Sequence, residues 1–326
     1  ALIGKRHNSM NQLQYFGLVG VGGYIAPRHL KAIKDTGNSL VAAMDPKDSV
    51  GVLDQYFPEA KFFVEIERFD RFLEKLRRQD SEHQIDYLSV CSPNYLHDAH
   101  VRLGLRVKAH VICEKPLVLS PWNIQALEDL QHEYQRRVYT VLQLRLLPKL
   151  VALREAIQAS PSTHRHDVRL AYVTRRGPWY HVSWKGDHDK SGGIAMNIGI
   201  HFFDLLLWVF GACEKAELHL NTPTKMAGTL ELERARVQWF LSIDEKDLPK
   251  GYLAQGKPAY RSLSIDGQET EFSESFTDMH TEVYKDILKG GGFGLDDVKP
   301  SIELVHQLRE KELTAPAQDF RPILSR

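Results

Sequence analysis

The first half of the chain alternates short apolar strands with helices, and a glycine-rich turn joins the first strand to the first helix. Tyr15–Val19 is apolar, a Gly-Val-Gly-Gly run begins at Gly20, and Pro27 opens a helical stretch that reaches Thr36. Glycines at such a turn let backbone N–H groups approach a pyrophosphate at the positive end of the helix. Strand, turn and helix in this order predict a right-handed βαβ unit in a parallel sheet.

The next strand strengthens the prediction of a nucleotide site. Leu40–Met44 is apolar and ends at Asp45, where a carboxylate can accept both ribose hydroxyls of an adenosine and repel a 2′-phosphate. NAD is therefore favoured over NADP. Ile25 stands where the third glycine of the motif belongs, unless the turn is one residue longer and Ala26 takes that place. The NAD-binding residues predicted in this region are Gly20, Gly22, Gly23, Tyr24, Ile25 and Asp45.

The alternation continues to about Gln143 and then stops. The further strands predicted here are Ile85–Cys91, Val111–Cys113 and Val138–Gln143, and the helices are Phe69–Arg78, a segment that carries His97 and His100, and Ile124–Arg136. We predict an α/β fold class, with a doubly wound parallel sheet, a Rossmann domain, over residues 10–143.

The second half carries apolar runs with few helices between them. Val168–Thr174, Leu218–Leu220, Ala235–Ile243 and Arg261–Ile265 are typical of strands, so residues 144–326 are predicted to form an α+β domain with a large, mostly antiparallel sheet. Few helices remain to cover this sheet, which predicts a homo-oligomer with a tetramer as the favoured state. Residues 1–9 precede a methionine and are interpreted as an expression leader.

The charge balance argues against several classes of partner. Lys+Arg and Asp+Glu both count 42, so neither a nucleic acid nor an anionic membrane surface is expected. The longest apolar run, Phe202–Phe210, is too short to span a bilayer. Cys91, Cys113 and Cys213 lie in or beside apolar runs without a CxxC spacing, which is typical of reduced core cysteines in a cytoplasmic protein.

Two stretches carry side chains suited to proton transfer. Glu114 and Lys115 follow a buried strand and precede a proline, which places them at the carboxyl end of the sheet, where open α/β sheets bind ligands. A simple ion pair is the alternative. Asn197, His201 and Asp204 follow at i, i+4 and i+7 and would share one face of a helix. A hydrogen-bonded core histidine is the alternative interpretation of His201.

No metal site is predicted. His97 and His100 have the i,i+3 spacing of some metal ligands, but no third ligand is apparent beside them. A histidine that makes a hydrogen bond beside the nucleotide is the favoured interpretation of His97.

These motifs together resemble those of the glucose-fructose oxidoreductase/inositol dehydrogenase family. The resemblance runs from Tyr15 to the end of the chain, and its carriers are the Gly20–Gly22 turn, Ser92-Pro93-Asn94 with His97, Glu114-Lys115-Pro116, and the Gly199-x-His201-x-x-Asp204 pattern. It implies an N-terminal dinucleotide domain and a C-terminal open sheet that often mediates dimers or tetramers. Ser92, Asn94, His97, Glu114 and Lys115 are accordingly assigned to the cofactor site.

Within that family the chain is similar to a narrower group, the UDP-N-acetyl-2-amino-2-deoxyglucuronate (UDP-GlcNAcA) 3-dehydrogenases of bacterial surface-polysaccharide pathways. Residues 23–30, 196–204 and 292–294 carry this likeness. It implies that NAD oxidises the C3′ hydroxyl of the UDP-sugar acid during O-antigen (lipopolysaccharide) biosynthesis. In some members 2-oxoglutarate then reoxidises the bound NADH. Asn197 stands where many members of the wider family carry aspartate, which fits the narrower group.

The chemistry gives each reacting residue a role. His201 is the candidate base for the hydroxyl proton, because an imidazole of ordinary pKa, ~6.5, needs little tuning. Lys115 would hydrogen-bond the same oxygen and stabilise alkoxide charge, and it stays the alternative proton acceptor. Glu114 would hold Lys115 in place. The predicted substrate-binding residues are Asn197 for a sugar hydroxyl, and Arg145 and Lys185 for the diphosphate and the carboxylate.

Two alternative functions stay open at this point. One is a polyol or inositol-type NAD dehydrogenase of the same family. The other is a non-catalytic, nucleotide-binding regulator on the same fold, which would not need Lys115 and His201 together.

Overall fold

The first sheet has six strands, and all of its neighbouring strands run parallel. The computed structural model describes residues 12–161, 163–269 and 279–316, so the expected leader at 1–9 lies outside the described residues. The strands are Tyr15–Val19 (β1), Ser39–Met44 (β2), Lys61–Phe63 (β3), Tyr87–Val90 (β4), His110–Cys113 (β5) and Val138–Thr140 (β6), in the order β3-β2-β1-β4-β5-β6. The predicted doubly wound parallel sheet is confirmed.

Helices connect these strands and pack on the sheet through apolar faces. They are Ala26–Asp35 (α1), Val52–Tyr56 (α2), Ile66–Arg78 (α3), His97–Arg106 (α4) and Trp122–Tyr134 (α5). In α3, for example, Phe69 and Leu73 are buried one helical turn apart. The strand order reverses between β1 and β4, and the crevice outside the carboxyl ends of the strands at such a reversal is where open α/β sheets bind ligands.

The second sheet is mixed and mostly antiparallel, as the sequence predicted. Its strands are His166–Thr174 (β7), Cys213–Asn221 (β8), Lys225–Leu232 (β9), Ala235–Ser242 (β10), Ala259–Ile265 (β11) and Gln268–Glu269 (β12), in the order β12-β11-β7-β10-β9-β8. Strand β10 runs parallel to β7, and the other pairs are antiparallel.

Strand β9 was not predicted, and its sequence explains why. It carries Gly228 in its interior, and glycine weakens the strand signal because it brings no side chain to pack. A Cβ at this position would lie 2.2 Å from the carbonyl oxygen of Glu217 and 2.8 Å from the indole of Trp239. The glycine is thus explained by a contact across the sheet that the strand's own sequence does not reveal.

The second half also contains helices, one of which packs on one face of this sheet. They are Pro148–Ala159 (α6), Trp179–Val182 (α7), His188–Ser191 (α8), Ile200–Phe210 (α9), Met279–Leu288 (α10) and Leu295–Glu310 (α11). Phe203 of α9 meets Trp239 edge-on, with ring centroids 5.1 Å apart. The helical run His188–Phe210 has the length and composition of a membrane span, but 72% of its most apolar window is buried in the fold, as expected of a core helix.

One turn of π-helix, Ala195–Gly199, lies directly before α9. It follows Gly192 and Gly193, whose φ angles of +82° and +76° separate it from α8. A π turn closes i→i+5 hydrogen bonds rather than i→i+4, so residues on its two sides are rotated relative to a regular α-helix. The prediction that Asn197, His201 and Asp204 share one face assumed a regular helix throughout and stays a prediction, and the Asp204 carboxylate pairs with Arg145.

The C-terminal helices return to the first half of the molecule. Tyr284 of α10 contacts His29 of α1, and the backbone N–H of Thr140 in β6 donates to the carbonyl of Phe293 at 2.9 Å. The domain boundary at residue 143 stays a prediction, because side chains from beyond it are built into the edge of the first sheet.

Candidate active site

The glycine turn after β1 lies directly against the end of β4. Gly20 has a φ of +86°, and a Cβ there would lie 2.6 Å from backbone atoms of Cys91 and Ser92. Only glycine meets both demands. Helix α1 then begins at Ala26, which is fully buried, whereas Ile25 is half-buried. The turn is therefore one residue longer than the common motif, and Ala26 takes the place of the third glycine.

Asp45 lies beside this turn with its carboxylate held by backbone groups. The N–H of Gly22 donates to Oδ2 and the N–H of Lys47 donates to Oδ1, both at 2.9 Å. A Cβ at Gly22 would lie 3.1 Å from the same carboxylate. A glycine cradle, a helix N-terminus and an acid at the end of β2 are what a pyrophosphate and a ribose require, so the residues present fit a bound NAD.

Ser92, Asn94 and His97 follow β4 and connect segments within the protein. His97 is fully buried, with Nδ1 2.6 Å from the Pro116 carbonyl and Nε2 2.8 Å from the Ser92 carbonyl. Both ring nitrogens are engaged, and burial lowers the pKa of this histidine. His97 thus ties the loop after β4 to the loop after β5, and its predicted place in the cofactor site stays a prediction. The Ser92 hydroxyl lies 2.8 Å from Nδ1 of His100.

Lys115 and Asn197 are brought together from the two halves of the chain. The ammonium of Lys115 donates to the backbone carbonyl of Asn197 at 3.1 Å, and the Lys115–Pro116 peptide bond is cis. The Asn197 amide donates to the hydroxyl of Tyr180 at 3.0 Å, and its Oδ1 accepts from Asn94 at 3.2 Å. Asn94 also donates to the Ser191 carbonyl at 2.9 Å. These bonds fix the amide and the ammonium beside each other.

His201 lies one helical turn beyond Asn197 and within the electrostatic reach of Lys115. Burial, and then the charge of Lys115, hold the pKa of His201 well below its usual range. Burial also lowers the pKa of Lys115, an effect that Glu114 opposes and Arg176 reinforces. Two groups with altered proton affinity at the carboxyl end of a strand form a candidate centre for proton transfer.

Glu114 has partners that the sequence did not indicate. Its Oε1 accepts from Nε2 of His29 at 2.8 Å and from Nε2 of His280 at 2.7 Å, and Oε2 accepts the backbone N–H of Lys115 at 3.2 Å. Glu114 thus contacts Lys115 through the backbone N–H, while the Lys115 ammonium donates to Asn197. The predicted role of Glu114 in holding Lys115 in place stays a prediction. No spacing in the sequence connects the two histidines, which lie 85 and 166 positions from Glu114.

Lys185 lies within the electrostatic reach of Lys115, and its predicted contact with the substrate stays a prediction. Its ammonium lies 5.2 Å from the ring centroid of Trp179, and burial, with Arg176 and Lys115 adding to the effect, lowers its pKa. It lines a cavity of ≈390 Å³ together with Tyr180. Arg176 therefore lies near both lysines and is a third cation of the site, although sequence reasoning did not single it out.

Arg145 does not serve as predicted. Its guanidinium makes two parallel hydrogen bonds to Asp204, at 2.8 and 2.9 Å, and two more to the side chain and backbone of Asp297. Arg145 and Asp204 are both buried. The prediction that Arg145 binds the substrate is corrected, because its donors are engaged in a structural ion pair.

Two clusters of the described residues have the composition of metal ligands: His29, Glu114 and His280, and His164, His166 and Asp266. Tetrahedral ligands bound at ~2.0–2.1 Å stand roughly 3.3 Å apart. The contacts of Glu114, at 2.7 and 2.8 Å, and of His166 with Asp266, at 2.7 Å, are shorter than that and are hydrogen bonds.

Comparison with known proteins matches both halves of the chain. The model described as "Oxidoreductase family, NAD-binding Rossmann fold" matches residues 15–142, and the one described as "Oxidoreductase family, C-terminal alpha/beta domain" matches residues 165–247. A curated relative, glucose-6-phosphate 3-dehydrogenase from Bacillus subtilis (strain 168), is 24% identical over 227 residues, which are 65% of this chain. The chain spans 60% of the length of that relative.

Solved structures extend the match over nearly the whole chain. The WlbA (WbpB) dehydrogenase from Thermus thermophilus, in complex with NAD and UDP-GlcNAcA, is 52% identical, with a TM-score of 0.90 over 95% of this chain and 99% of that chain. The same enzyme has also been solved with NAD and alpha-ketoglutarate. The WlbA dehydrogenase from Bordetella pertussis shares the fold, with 18% identity and a TM-score of 0.75 over 92% and 95% of the two chains. The chain belongs to the Gfo/Idh/MocA family of NAD-binding oxidoreductases.

Proposed function

We propose that this enzyme uses NAD to oxidise the C3′ hydroxyl of UDP-GlcNAcA to a ketone, in bacterial surface-polysaccharide biosynthesis. The observation that carries the proposal is the 52% identity over 99% of a dehydrogenase solved with NAD and UDP-GlcNAcA. The site described above supports it, because the Lys115 ammonium lies after the carboxyl end of β5 with Asn197 and His201 near it.

NAD would be held by the turn at Gly20, Gly22 and Gly23, by the neighbouring Tyr24 and Ile25, and by Asp45. When bound, it supplies the acceptor for the hydrogen and the electron pair that leave the C3′ carbon. Asp45 accepts the ribose hydroxyls, and its charge opposes a 2′-phosphate. Ser92 and Asn94 shape the edge of this site from the loop after β4, where Asn94 joins it to Asn197.

The proton leaves the hydroxyl as the C–H bond breaks, so a base must stand at that oxygen. His201 takes this role, since its lowered pKa keeps it neutral and able to accept a proton at pH 7. Lys115 donates a hydrogen bond to the same oxygen and stabilises its developing negative charge in a buried site. Asn197 orients a neighbouring sugar hydroxyl without adding a negative charge near the uronate.

The substrate carries a carboxylate and a diphosphate, and Lys185 and Arg176 are the cations that match them. The guanidinium of Arg176 is anchored by the Thr174 hydroxyl at 2.7 Å. Replacing either cation with methionine is expected to raise KM for UDP-GlcNAcA with a smaller change in kcat, since these contacts exist before and during the reaction.

The test compares UDP-GlcNAcA with UDP-GlcNAc, which differs only at C6, and with free inositol and glucose 6-phosphate. Purified protein is incubated with NAD and each compound, and the 3-keto product is measured by mass spectrometry. Product from UDP-GlcNAcA and little from UDP-GlcNAc is expected. Preferential oxidation of a free polyol, or NAD binding without oxidation of any of the four compounds, would overturn the proposal.

A second arm adds 2-oxoglutarate. If bound NADH is reoxidised in place, the C2 carbonyl of the oxo acid becomes a hydroxyl, and one 2-hydroxyglutarate forms for each ketone. The solved complex of the Thermus enzyme with NAD and alpha-ketoglutarate supports this step. Ketone formation that stops after one turnover, with or without the oxo acid, would exclude it.

We also propose a cytoplasmic homotetramer assembled through the second sheet. One face of this sheet packs on α9, while Val173, Ala227 and Phe240 form a small apolar cluster with Tyr260 and Leu248. Trp239 faces α9, and strand alternation therefore turns Phe240 to the other side. Light scattering at micromolar protein concentration is expected to report four subunits, and a monomer would contradict the assembly.

A further inference from the structure

The strongest feature outside the roles already assigned is the buried network behind Lys115. The carboxylate of Glu114 accepts hydrogen bonds from His29 and His280 on the same oxygen, Oε1. An ionised carboxylate only accepts hydrogen bonds, so both imidazoles must present Nε2–H to it. The two histidines come from α1 and α10, at opposite ends of the chain.

The network continues beyond His29. Its Nδ1 lies 2.8 Å from the hydroxyl of Tyr284, and that hydroxyl lies 2.6 Å from the hydroxyl of Ser89. With Nε2–H donating to Glu114, the neutral His29 ring accepts from Tyr284, and Tyr284 accepts from Ser89. The bonds run in one direction, toward the carboxylate, so they favour its ionised form.

His29 does not cancel the negative charge of Glu114. Burial lowers the pKa of His29, so this ring is neutral near pH 7. Burial by itself would raise the pKa of Glu114, but the hydrogen bonds from His280 and His29 hold it well below its usual range. Cys91, Cys113 and Tyr284 also face Glu114, and burial raises their pKa values, which keeps them uncharged.

The nearest residue on which this charge can act is Lys115, whose backbone N–H Glu114 already binds. Among the described residues, the other groups that interact electrostatically with Lys115 are cationic or neutral: Arg176 after β7, Lys185 after α7, His97 on α4 and His201 on α9. Glu114 is therefore the anion that favours the protonated form of Lys115, whereas burial and the nearby cations favour its neutral form.

We propose that His29 and His280 are positioning residues that hold Glu114 as a buried anion, and that this anion keeps Lys115 charged at the reacting oxygen. The inference deepens the proposed function, because it takes Lys115 to be the hydrogen-bond donor to the substrate. It adds two histidines and a helix, α10, to the machinery that prepares the site.

The test measures the ionisation of Lys115 without any sugar. NAD-saturated protein is treated with trace acetic anhydride across pH, and acetylation of each lysine is quantified by peptide mass spectrometry. In Glu114→Gln the midpoint for Lys115 is expected to fall by about one to three pH units, the usual effect of removing one opposite charge at close range. Lys250, an exposed lysine, serves as the internal control and keeps its midpoint.

Two matched substitutions at His280 distinguish loss of the hydrogen-bond donor from loss of packing. They also keep the test valid if Glu114→Gln does not fold. His280→Gln retains an N–H near the position of Nε2, whereas His280→Phe fills the space without a donor. We expect the Lys115 midpoint of His280→Gln to stay near that of the wild type. The midpoint of His280→Phe should fall, by less than in Glu114→Gln. Tyr284→Phe, which leaves both donors to Glu114, should leave the midpoint in place.

Wild-type midpoints for Lys115 in both Glu114→Gln and His280→Phe would overturn the inference, as would equal shifts in His280→Gln and His280→Phe. Because no sugar is present, the labelling result does not depend on whether the protein oxidises UDP-GlcNAcA. The inference about Glu114 and the proposed function can therefore fail separately. Where the sugar is oxidised, the pH profile of single-turnover oxidation should move by the same amount as the labelling midpoint.

Discussion

The buried carboxylates of Asp204 and Glu114 have partners that differ in kind. Asp204 receives the guanidinium of Arg145 in two parallel hydrogen bonds, so the charges cancel within the pair. Glu114 receives two imidazoles, and with a neutral His29 its charge is not cancelled in the same way. The first arrangement fixes the fold, while the second leaves a field that acts on the neighbouring Lys115.

This difference explains why the Glu114 network adjoins the reacting Lys115, whereas the Arg145–Asp204 pair lies elsewhere. A cancelled pair exerts little force on groups around it, so it suits a position between α9 and α11 where only packing is required. A carboxylate that accepts from a neutral imidazole, as Glu114 does from His29, keeps more of its influence on nearby groups. Its burial costs desolvation, which is tolerated where the charge has a use.

The largest effect is expected at the reacting groups. His201→Asn should slow single-turnover NADH formation by roughly 10² to 10⁴, the usual value of a general base, and Lys115→Met by roughly 10² to 10³. The pH profiles assign the roles: Lys115→Met should keep an acidic limb, below pH ~6.5 because the pKa of His201 is lowered, and His201→Asn should lose it. The reverse pattern would make Lys115 the proton acceptor.

Breaking the ion pair between Arg145 and Asp204 should lower the stability of the fold without changing the protonation of Lys115. Arg145→Met strands the Asp204 carboxylate and is expected to lower the free energy of unfolding by about 3–5 kcal/mol in urea titrations. The double variant Arg145→Met/Asp204→Leu should recover most of the loss, because an apolar pair of similar volume replaces the ions. The acetylation midpoint of Lys115 should stay at its wild-type value in both, and a shift would mean that the two clusters are coupled.

A third carboxylate, that of Asp45, is held by backbone N–H groups alone and has its remaining lone pairs for a ligand. Asp45→Ala should weaken NAD binding by about 10- to 100-fold, the value of a charged hydrogen bond, and should affect NADP less. Calorimetric titration of both nucleotides into both proteins measures this. Equal affinities of NAD and NADP for the wild type would contradict the assignment.

The smallest expected effect is a change in how the free energy of unfolding depends on pH through His29 and Glu114. Burial lowers the pKa of His29 in the fold, so below the unfolded value of ~6.5 the unfolded chain binds the extra proton and stability falls as the pH drops. Glu114, whose folded pKa is also lowered, contributes stability above its unfolded value of ~4.3 and loses it only at lower pH. His29→Gln should flatten the loss between pH 6.5 and 5 by up to ~1.4 kcal/mol per pH unit.

Urea unfolding at pH 7.5, 6.5, 5.5 and 5 measures that slope. His97, His100, His110 and His201, whose pKa values are also lowered by burial, contribute further acid sensitivity. Arg145→Met is not a matched control for this slope, because burial already raises the pKa of Asp204 and loss of the guanidinium would raise it further. If His29→Gln runs parallel to the wild type, the neutral form of the His29 imidazole is not what holds Glu114.

Local signals in the sequence were sufficient for the cofactor half. The turn at Gly20 and the acid at Asp45 lie on adjacent strands, and a backbone that must approach a pyrophosphate demands glycine whatever surrounds it. Lys115 and His201 could be selected because charged and titratable side chains stood out against apolar runs. The family resemblance added the substrate, and nothing in the spacing of the residues would have done so.

Tertiary structure decided how those residues are used. Arg145 and Asp204 are 59 positions apart, and only packing shows that they bind each other rather than a substrate. Gly228 weakened the sequence signal of strand β9. The need for glycine there comes from Trp239 on the neighbouring strand β10, which lies too close for a larger side chain. His29 and His280 meet at Glu114 because the last helices fold back on the first sheet. Sequence determines properties set by neighbours along the chain, whereas partners, burial and proton affinity depend on neighbours in space.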